Sequence, residues 1–165
     1  YTQMGIGNRK FNMIQRIQTL YLLIVALIMT MPLFVPIAQV VVPNDASYNF
    51  FTYGVVLIGE RSALQAHYWA LLILNIFTIG LPLVTIFLYK KRFLQLRLCI
   101  VEIILLVGST ILMWYHINQF QNKIDADILY KLSFIFPLIC VVFTYLGMRG
   151  IFKDIKLLKS LDRIR

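Results

Sequence analysis

Four long apolar stretches separated by shorter polar segments dominate the pattern of this 165-residue chain. They run from about 17 to 37, 67 to 89, 98 to 115 and 130 to 148. Each is close to or above the roughly 18–20 apolar residues that an α-helix needs to cross a hydrocarbon layer of about 30 Å. The pattern therefore predicts an all-α integral membrane protein with four transmembrane helices in a single domain, 1–165.

The longest polar break, from Gln39 to Ala66, contains a segment that is too short to span a membrane. This segment, Asn49–Ile58, is rich in aromatic and β-branched residues. Its composition favours either a short strand pair or a re-entrant loop at the membrane surface. A second polar link, from Ile117 to Leu129, joins the third and fourth spans.

The last segment, 149–165, has an apolar side and a basic side when it is drawn as a helix. Ile151, Ile155, Leu158 and Leu161 fall on the apolar side, and Arg149, Lys153, Lys156, Lys159 and Arg163 fall nearly opposite. A basic amphipathic helix of this kind is typical of a segment that lies on an anionic membrane leaflet. Packing of its apolar side on a partner is the alternative.

Composition agrees with lipid as the main surrounding of the chain. Hydrophobic residues make up 60% and charged residues 14%, whereas a soluble domain has about 25% charged residues. The formal net charge of +9 would suggest nucleic acid as a partner of a soluble protein. Here the basic residues flank apolar runs, so the sequence predicts no nucleic-acid partner.

The distribution of basic residues predicts the orientation of the chain. Four of them, Lys90, Lys91, Arg92 and Arg97, lie at the turn between the second and third spans. Together with those of the N-terminal segment and the tail, thirteen of the sixteen Lys and Arg residues fall on one side. The positive-inside rule therefore places both termini and this turn in the cytoplasm.

Three regions of the chain carry a resemblance to a known family. They are Met13–Leu23, Phe87–Cys99, and the C-terminal segments Arg149–Asp154 and Ser160–Arg165. In these regions the chain resembles an uncharacterised family of small four-span inner-membrane proteins of Bacteroidota. The resemblance covers nearly the whole chain from Met13 onward. It implies four spans and a bacterial inner (cytoplasmic) membrane, and it implies no activity.

Glu102 is the acidic residue that the pattern places inside a span. With the third span centred near residue 106, it lies about 6 Å from the midplane of the bilayer. A carboxylate at that depth is costly and usually faces the interior of the bundle. It is either a functional acid that binds a proton, a cation or a substrate, or a structural group. In the structural case it is protonated or forms an ion pair with Arg16 or Arg149.

Two histidines fall at the outer interface, and they suggest a different chemistry. His67 opens the second span and His116 follows the third, so antiparallel helices could bring them together to hold a haem or a metal ion. No other metal-ligand pattern accompanies them, and the sequence predicts no cofactor. Asn75, Pro82 and Pro137 could instead mark broken helices around a transported substrate.

The chain carries no motif of a hydrolase, a metalloprotease or an intramembrane protease, so the sequence predicts no enzyme. The favoured interpretation is an accessory or scaffolding subunit of an inner-membrane assembly. Its expected partners are anionic lipid head groups and other integral membrane subunits. The alternatives are a small transporter or proton-coupled protein that uses Glu102, and an electron-transfer subunit that uses His67 and His116.

Overall fold

Four long helices form the frame of the protein. A computed structural model describes residues 3–41, 47–58, 64–89, 91–124 and 127–162, with side chains for 17–41, 47–58, 67–89, 91–123 and 127–156. The helices are α1 (Gln3–Phe34), α2 (Trp69–Phe87), α3 (Arg92–Ile124) and α4 (Phe136–Asp162). All four are long and apolar enough to cross a membrane, and their number agrees with the four apolar stretches of the sequence.

The helices pack in a ring in which α1 and α3 each contact both α2 and α4. Consecutive helices are joined at alternate ends, so neighbours in the ring are antiparallel. One end of the bundle, called here the turn end, holds the α2–α3 connection, the start of α1 and the last part of α4. The opposite end, called here the sheet end, holds the other two connections.

Each helix buries about one residue in every three or four and exposes other apolar residues. In α1, for example, Val25 and Met29 are buried, whereas Leu27 and Met31 are 57% and 50% exposed. Helices that are apolar all round are typical of membrane spans, because lipid covers the outer face. The buried positions of the four helices include nine polar side chains: Gln18, Asn75, Thr78, Thr85, Gln95, Glu102, Ser109, Thr144 and Asp154. The bundle is thus apolar outside and partly polar inside.

A five-stranded antiparallel sheet lies at the sheet end. Its strands are β1 (Ala38–Val41), β2 (Ser47–Phe51), β3 (Gly54–Ile58), β4 (Leu64–His67) and β5 (Asp127–Tyr130), in the order β4-β3-β2-β1-β5. Of the two alternatives for Asn49–Ile58, the strand pair is the one formed, by β2 and β3, and the all-α fold class is wrong in this respect. The sheet is larger than a strand pair because β5, from the distant second link, pairs with β1.

The sheet is fixed to the bundle by a shared apolar core. Phe50 and Val55 from the sheet pack with Leu71 of α2 and with Met113 and Ile117 of α3, all of them buried. This contact explains why α3 continues to Ile124 through the segment that the sequence predicts as a polar link. In the described part of this segment, Gln119, Asn122 and Lys123 are exposed, whereas Ile117 and Phe120 are buried against the sheet.

A proline at the end of α1 provides a second attachment. Pro36 has no N–H, so the carbonyl of Pro32 lacks its usual donor four residues later. The hydroxyl of Thr52, in the β2–β3 turn, donates a hydrogen bond to this carbonyl at 2.8 Å. The exit of the chain from α1 is thereby tied to the sheet.

The C-terminal tail is part of α4 and does not form a separate helix. Within α4, Ile151 and Asp154 are each 1% exposed, whereas Lys153 and Lys156 are exposed. Ile151 and Ile155, on the apolar side of the tail, therefore pack against the other helices of the bundle. The prediction that the tail lies on the leaflet is wrong for residues 149–156, because their apolar side is covered within the chain. The side chains of 157–162 lie outside the described residues.

Candidate functional site

Glu102 lies on the buried side of α3, between two apolar clusters of the bundle. Cys99, one turn before it, packs with Leu22 and Ile151, and Leu106, one turn after it, belongs to a second cluster. The side chain of Glu102 is 1% exposed. Neither carboxyl oxygen has a hydrogen-bond partner among the described residues. Because an ionised carboxylate without a partner is very costly in such surroundings, the site favours the neutral, protonated form.

The hydrogen bond between Gln95 and Thr85 shows which part of α2 faces Glu102. Nε2 of Gln95, on α3, donates to the carbonyl of Thr85, on α2, at 3.2 Å. Seven residues make about two helical turns and return to nearly the same face. Glu102 lies seven residues after Gln95, and Thr78 lies seven residues before Thr85. Since the two helices are antiparallel, Glu102 and Thr78 lie at the same level on facing sides.

Pro82 leaves an acceptor at this level. It lies inside α2, and its ring nitrogen cannot donate to the carbonyl of Thr78 four residues earlier. Thr78 itself is fully buried, and its hydroxyl donates to the carbonyl of Asn75 at 2.8 Å. The carbonyl of Thr78 is therefore a buried acceptor without its usual donor. A protonated Glu102 on the facing helix has the complementary O–H group.

Asn75 adds an unpaired amide one turn before Thr78 in α2, toward the sheet end. It is 1% exposed, and neither its oxygen nor its nitrogen has a hydrogen-bond partner among the described side chains and backbone. Along the bundle axis, Glu102, the Thr78 carbonyl and Asn75 thus fall within about one helical turn and make a polar layer between apolar clusters. Such a layer can hold a proton or a water molecule. The described residues contain no group of three His, Cys, Asp or Glu side chains that could hold a metal ion.

The two arginines predicted as partners of Glu102 are placed elsewhere. Arg149 is exposed on the outer surface of α4. The side chain of Arg16 lies outside the described residues, but its backbone is near the turn end, two residues before Gln18. Gln18 is level with Arg92, because both contact Asp154. Arg92 precedes Glu102 by ten residues, about 15 Å along α3, which is farther than an arginine side chain reaches.

Asp154 is a second buried carboxylate, which the sequence analysis missed. Its Oδ2 accepts a hydrogen bond from Nε2 of Gln18 at 2.9 Å and lies 3.1 Å from Nη1 of Arg92. The arginine contact is an ion pair without hydrogen-bond geometry. The signal for its burial was its spacing from Gly147 and Ile151, which continues the buried face of α4. The surrounding lysines concealed that signal because they suggest a solvated segment.

The predicted histidine pair is not formed. His67 is exposed and stacks on Trp69, with ring centroids 5.9 Å apart. His116 contacts Tyr68, with ring centroids 4.6 Å apart. His67 and Tyr68 are consecutive residues at the end of a strand, so their side chains point to opposite sides. His116 therefore lies on the side away from His67, and the two do not form a common ligand site.

The basic residues of the turn and the tail, predicted to form a face that binds the membrane surface or a partner, are only partly free. Arg92 is half-buried and paired with Asp154, whereas the other basic residues with described side chains are exposed: Lys91, Arg97, Arg149, Lys153 and Lys156. Lys90 and Arg163 lie outside the described residues, as does the side chain of Lys159. The exposed members lie near the turn end of α3 and α4.

Comparison with known proteins gives a family without an assigned activity. A family model described as a domain of unknown function, DUF4293, matches residues 14–164. No curated protein matches the sequence.

Proposed function

The chain belongs to the DUF4293 family, and we propose that it is a proton-coupled membrane protein in which Glu102 takes up and releases the proton. The observation that carries this proposal is the position of the Glu102 carboxyl group. It is buried without a partner and level with the acceptor that Pro82 leaves on Thr78. Arg149, one of the two arginines predicted to pair with Glu102, is exposed on the outer surface of α4.

Protonation of Glu102 decides how α2 and α3 fit together at this level. The neutral carboxyl group donates to the Thr78 carbonyl and so satisfies both groups. Loss of the proton places a negative charge opposite the negative end of the carbonyl dipole, in surroundings of low dielectric constant. The two helices must then separate, or water must enter between them. Pro82 supplies the point at which α2 can bend, because the helix lacks a hydrogen bond there.

The proposed setting follows from charge distribution and family resemblance. We place the protein in a bacterial inner membrane of the Bacteroidota type, with both termini and the turn end in the cytoplasm. The excess of basic residues at the turn end supports this orientation. The sheet then lies on the periplasmic side.

Infrared difference spectroscopy between acid and alkaline pH tests the proposal on the purified protein in detergent. We expect a C=O stretching band of a protonated carboxyl group that disappears in Glu102→Gln. The matched control is Asp154→Asn, which removes the ion-paired buried carboxylate and should leave the band in place. Circular dichroism verifies that both variants are folded. The proposal fails if Glu102→Gln retains the band or if the wild-type protein shows none.

A role as an accessory subunit is the second candidate, and the open edge of the sheet favours it. Strand β5 pairs with β1 on one side, and Leu129 and Tyr130 on it are 57% and 48% exposed. An open edge strand is suited to pairing with a strand of another protein. A partner subunit would bind there, outside the membrane, without disturbing the bundle.

Affinity purification of the full chain in mild detergent tests this second role. We expect a stoichiometric membrane partner that is lost in Leu129→Lys, because a charge on the edge opposes strand pairing. Ile58→Lys, at an exposed position of β3, is the matched control and should retain the partner. Purification of the wild-type chain without a partner, or equal loss in both variants, would exclude docking at β5.

A further inference from the structure

A groove on the outer surface of the bundle lies between α3 and α4, toward the turn end. Its volume is about 330 Å³, and it is lined by Leu96, Ile100, Tyr145, Met148, Arg149 and Phe152. Five of the six lining side chains are apolar or aromatic. Arg149 is the one charged side chain among them. The groove is separate from the layer around Glu102, which faces the interior.

The groove is open to the surroundings of the helices. Ile100, Tyr145 and Phe152 are 46%, 50% and 58% exposed. Since both helices cross the membrane, these residues meet lipid. An apolar slot of this kind accepts a hydrocarbon chain, which has the same polarity as its walls.

The position of Arg149 identifies which part of a lipid it meets. It lies five residues before Asp154, or about 7.5 Å farther from the turn end along α4. It directly follows the predicted fourth span, 130–148, so we expect it near the membrane surface. A guanidinium at the membrane surface binds a phosphate by two parallel hydrogen bonds, and it is more weakly hydrated than an ammonium group. No ion pair of Arg149 exists within the described part of the chain, so its charge is available.

Two more cations are next in sequence to residues of the groove, Leu96 and Phe152. Arg97 follows Leu96 on α3, Lys153 lies one turn after Arg149 on α4, and both side chains are exposed. Positive charge at the membrane surface attracts anionic lipids in preference to zwitterionic ones. Charge and shape thus agree on an anionic occupant with a hydrocarbon chain.

We propose that the α3–α4 groove is a binding site for one anionic phospholipid. Its phosphate lies on Arg149, and one acyl chain occupies the slot beside Ile100, Tyr145 and Phe152. The site fixes a lipid at the turn end of the bundle. It does not depend on the role of Glu102.

Native mass spectrometry of the detergent-solubilised full chain tests the site, with phosphatidylglycerol and phosphatidylcholine of equal acyl chains as probes. We expect wild-type protein to retain one phosphatidylglycerol and to bind phosphatidylcholine more weakly. Arg149→Gln should weaken phosphatidylglycerol binding by about tenfold, which corresponds to about 1.4 kcal/mol. Arg149→Lys should lose less, because it keeps the charge.

Two further variants separate a site from general surface charge. Lys123→Gln removes an exposed positive charge at the opposite, sheet end of α3 and should change the affinity less than twofold. Phe152→Ala opens the wall of the slot and should weaken both lipids. Equal losses in Lys123→Gln and Arg149→Gln would overturn the proposal, as would an unchanged affinity in Arg149→Gln. Displacement of the lipid by inorganic phosphate would also overturn it, because it would show a site for the ion alone.

Discussion

The side-chain amide of Gln18 donates a hydrogen bond to the carboxylate of Asp154 at 2.9 Å across the interface of α1 and α4. The same carboxylate oxygen lies 3.1 Å from the guanidinium of Arg92, the first residue of α3. One acidic side chain therefore connects three helices at the turn end. Asp154 is 1% exposed, so water does not replace these contacts when they are lost.

Asp154→Ala is expected to lower the free energy of unfolding by about 2–3 kcal/mol, because it leaves Gln18 and Arg92 without their acceptor. Unfolding by sodium dodecyl sulfate in mixed micelles, followed by circular dichroism, measures this change. Lys153→Ala is the control, since its side chain is exposed beside Asp154. Equal stability of the two variants would show that the three-helix contact contributes nothing.

Gly150 makes room for the Gln18 side chain, and a substitution there is expected to disturb the contact with Asp154. A Cβ at position 150 would lie 2.9 Å from Cγ and 3.1 Å from Nε2 of Gln18. At Gly147, one turn earlier, the nearest atom to such a Cβ is Cβ of Tyr21, at an ordinary 3.7 Å. Gly150→Ala should therefore be about 1–2 kcal/mol less stable than Gly147→Ala, which has the same gain in helix propensity.

The Gly150 prediction has an internal control in a double variant measured by the same unfolding assay. In a Gln18→Ala background the crowding atoms are gone, so Gly150→Ala should cost no more than Gly147→Ala. A cost that remains in this background would show that some other neighbour of Gly150 is responsible.

Local sequence features predicted the helices and the inward position of Glu102 but only part of the sheet. Hydropathy is a local property, and a span of about 20 apolar residues has few alternatives to a helix. The pairing of β5 with β1 joins residues about ninety positions apart, such as Gln39 and Leu129. Nothing in either short segment alone specifies the other, so the sheet could be predicted only in part.

The two buried carboxylates show that local sequence also fails to specify the contacts of single residues with other helices. Glu102 was found because it interrupts an apolar run, where any charge stands out. Asp154 lies among lysines, and composition there suggests contact with water. Its burial follows from the continuation of α4 past residue 148 and from the partners Gln18 and Arg92, which come from other helices. Arg149, predicted as a partner of Glu102, is exposed for a related reason: sequence gives the depth of a residue along a helix but not the direction in which it faces.

Thr52→Val is expected to weaken the attachment of the sheet to α1. The hydroxyl of Thr52 is the donor to the Pro32 carbonyl, and valine has the same shape without the hydroxyl. The buried carbonyl is then unsatisfied, which should cost about 1–2 kcal/mol in unfolding free energy. Thr30→Val is the matched control, because the Thr30 hydroxyl bonds within its own helix at an exposed position. Hydrogen exchange of the β2 and β3 amides should increase in Thr52→Val and not in Thr30→Val.

The facing positions of Glu102 and Thr78 predict that Glu102 and Pro82 are energetically coupled. Pro82→Ala supplies an N–H that bonds to the Thr78 carbonyl within α2, so the acceptor is no longer open to Glu102. In a Glu102→Ala background this substitution only repairs the helix and should stabilise the protein. With Glu102 present, the same repair leaves the carboxyl group without its partner.

A double-mutant cycle on the unfolding free energies measures this coupling. The gain from Pro82→Ala should be smaller by about 1 kcal/mol with Glu102 present than with alanine at position 102. Pro137→Ala is the control, because Pro137 lies in the first turn of α4, near the sheet end, and should be additive with Glu102→Ala. Additivity of Pro82→Ala as well would mean that the carboxyl group does not use the Thr78 carbonyl. The fit between α2 and α3 at this level would then be independent of the proton on Glu102.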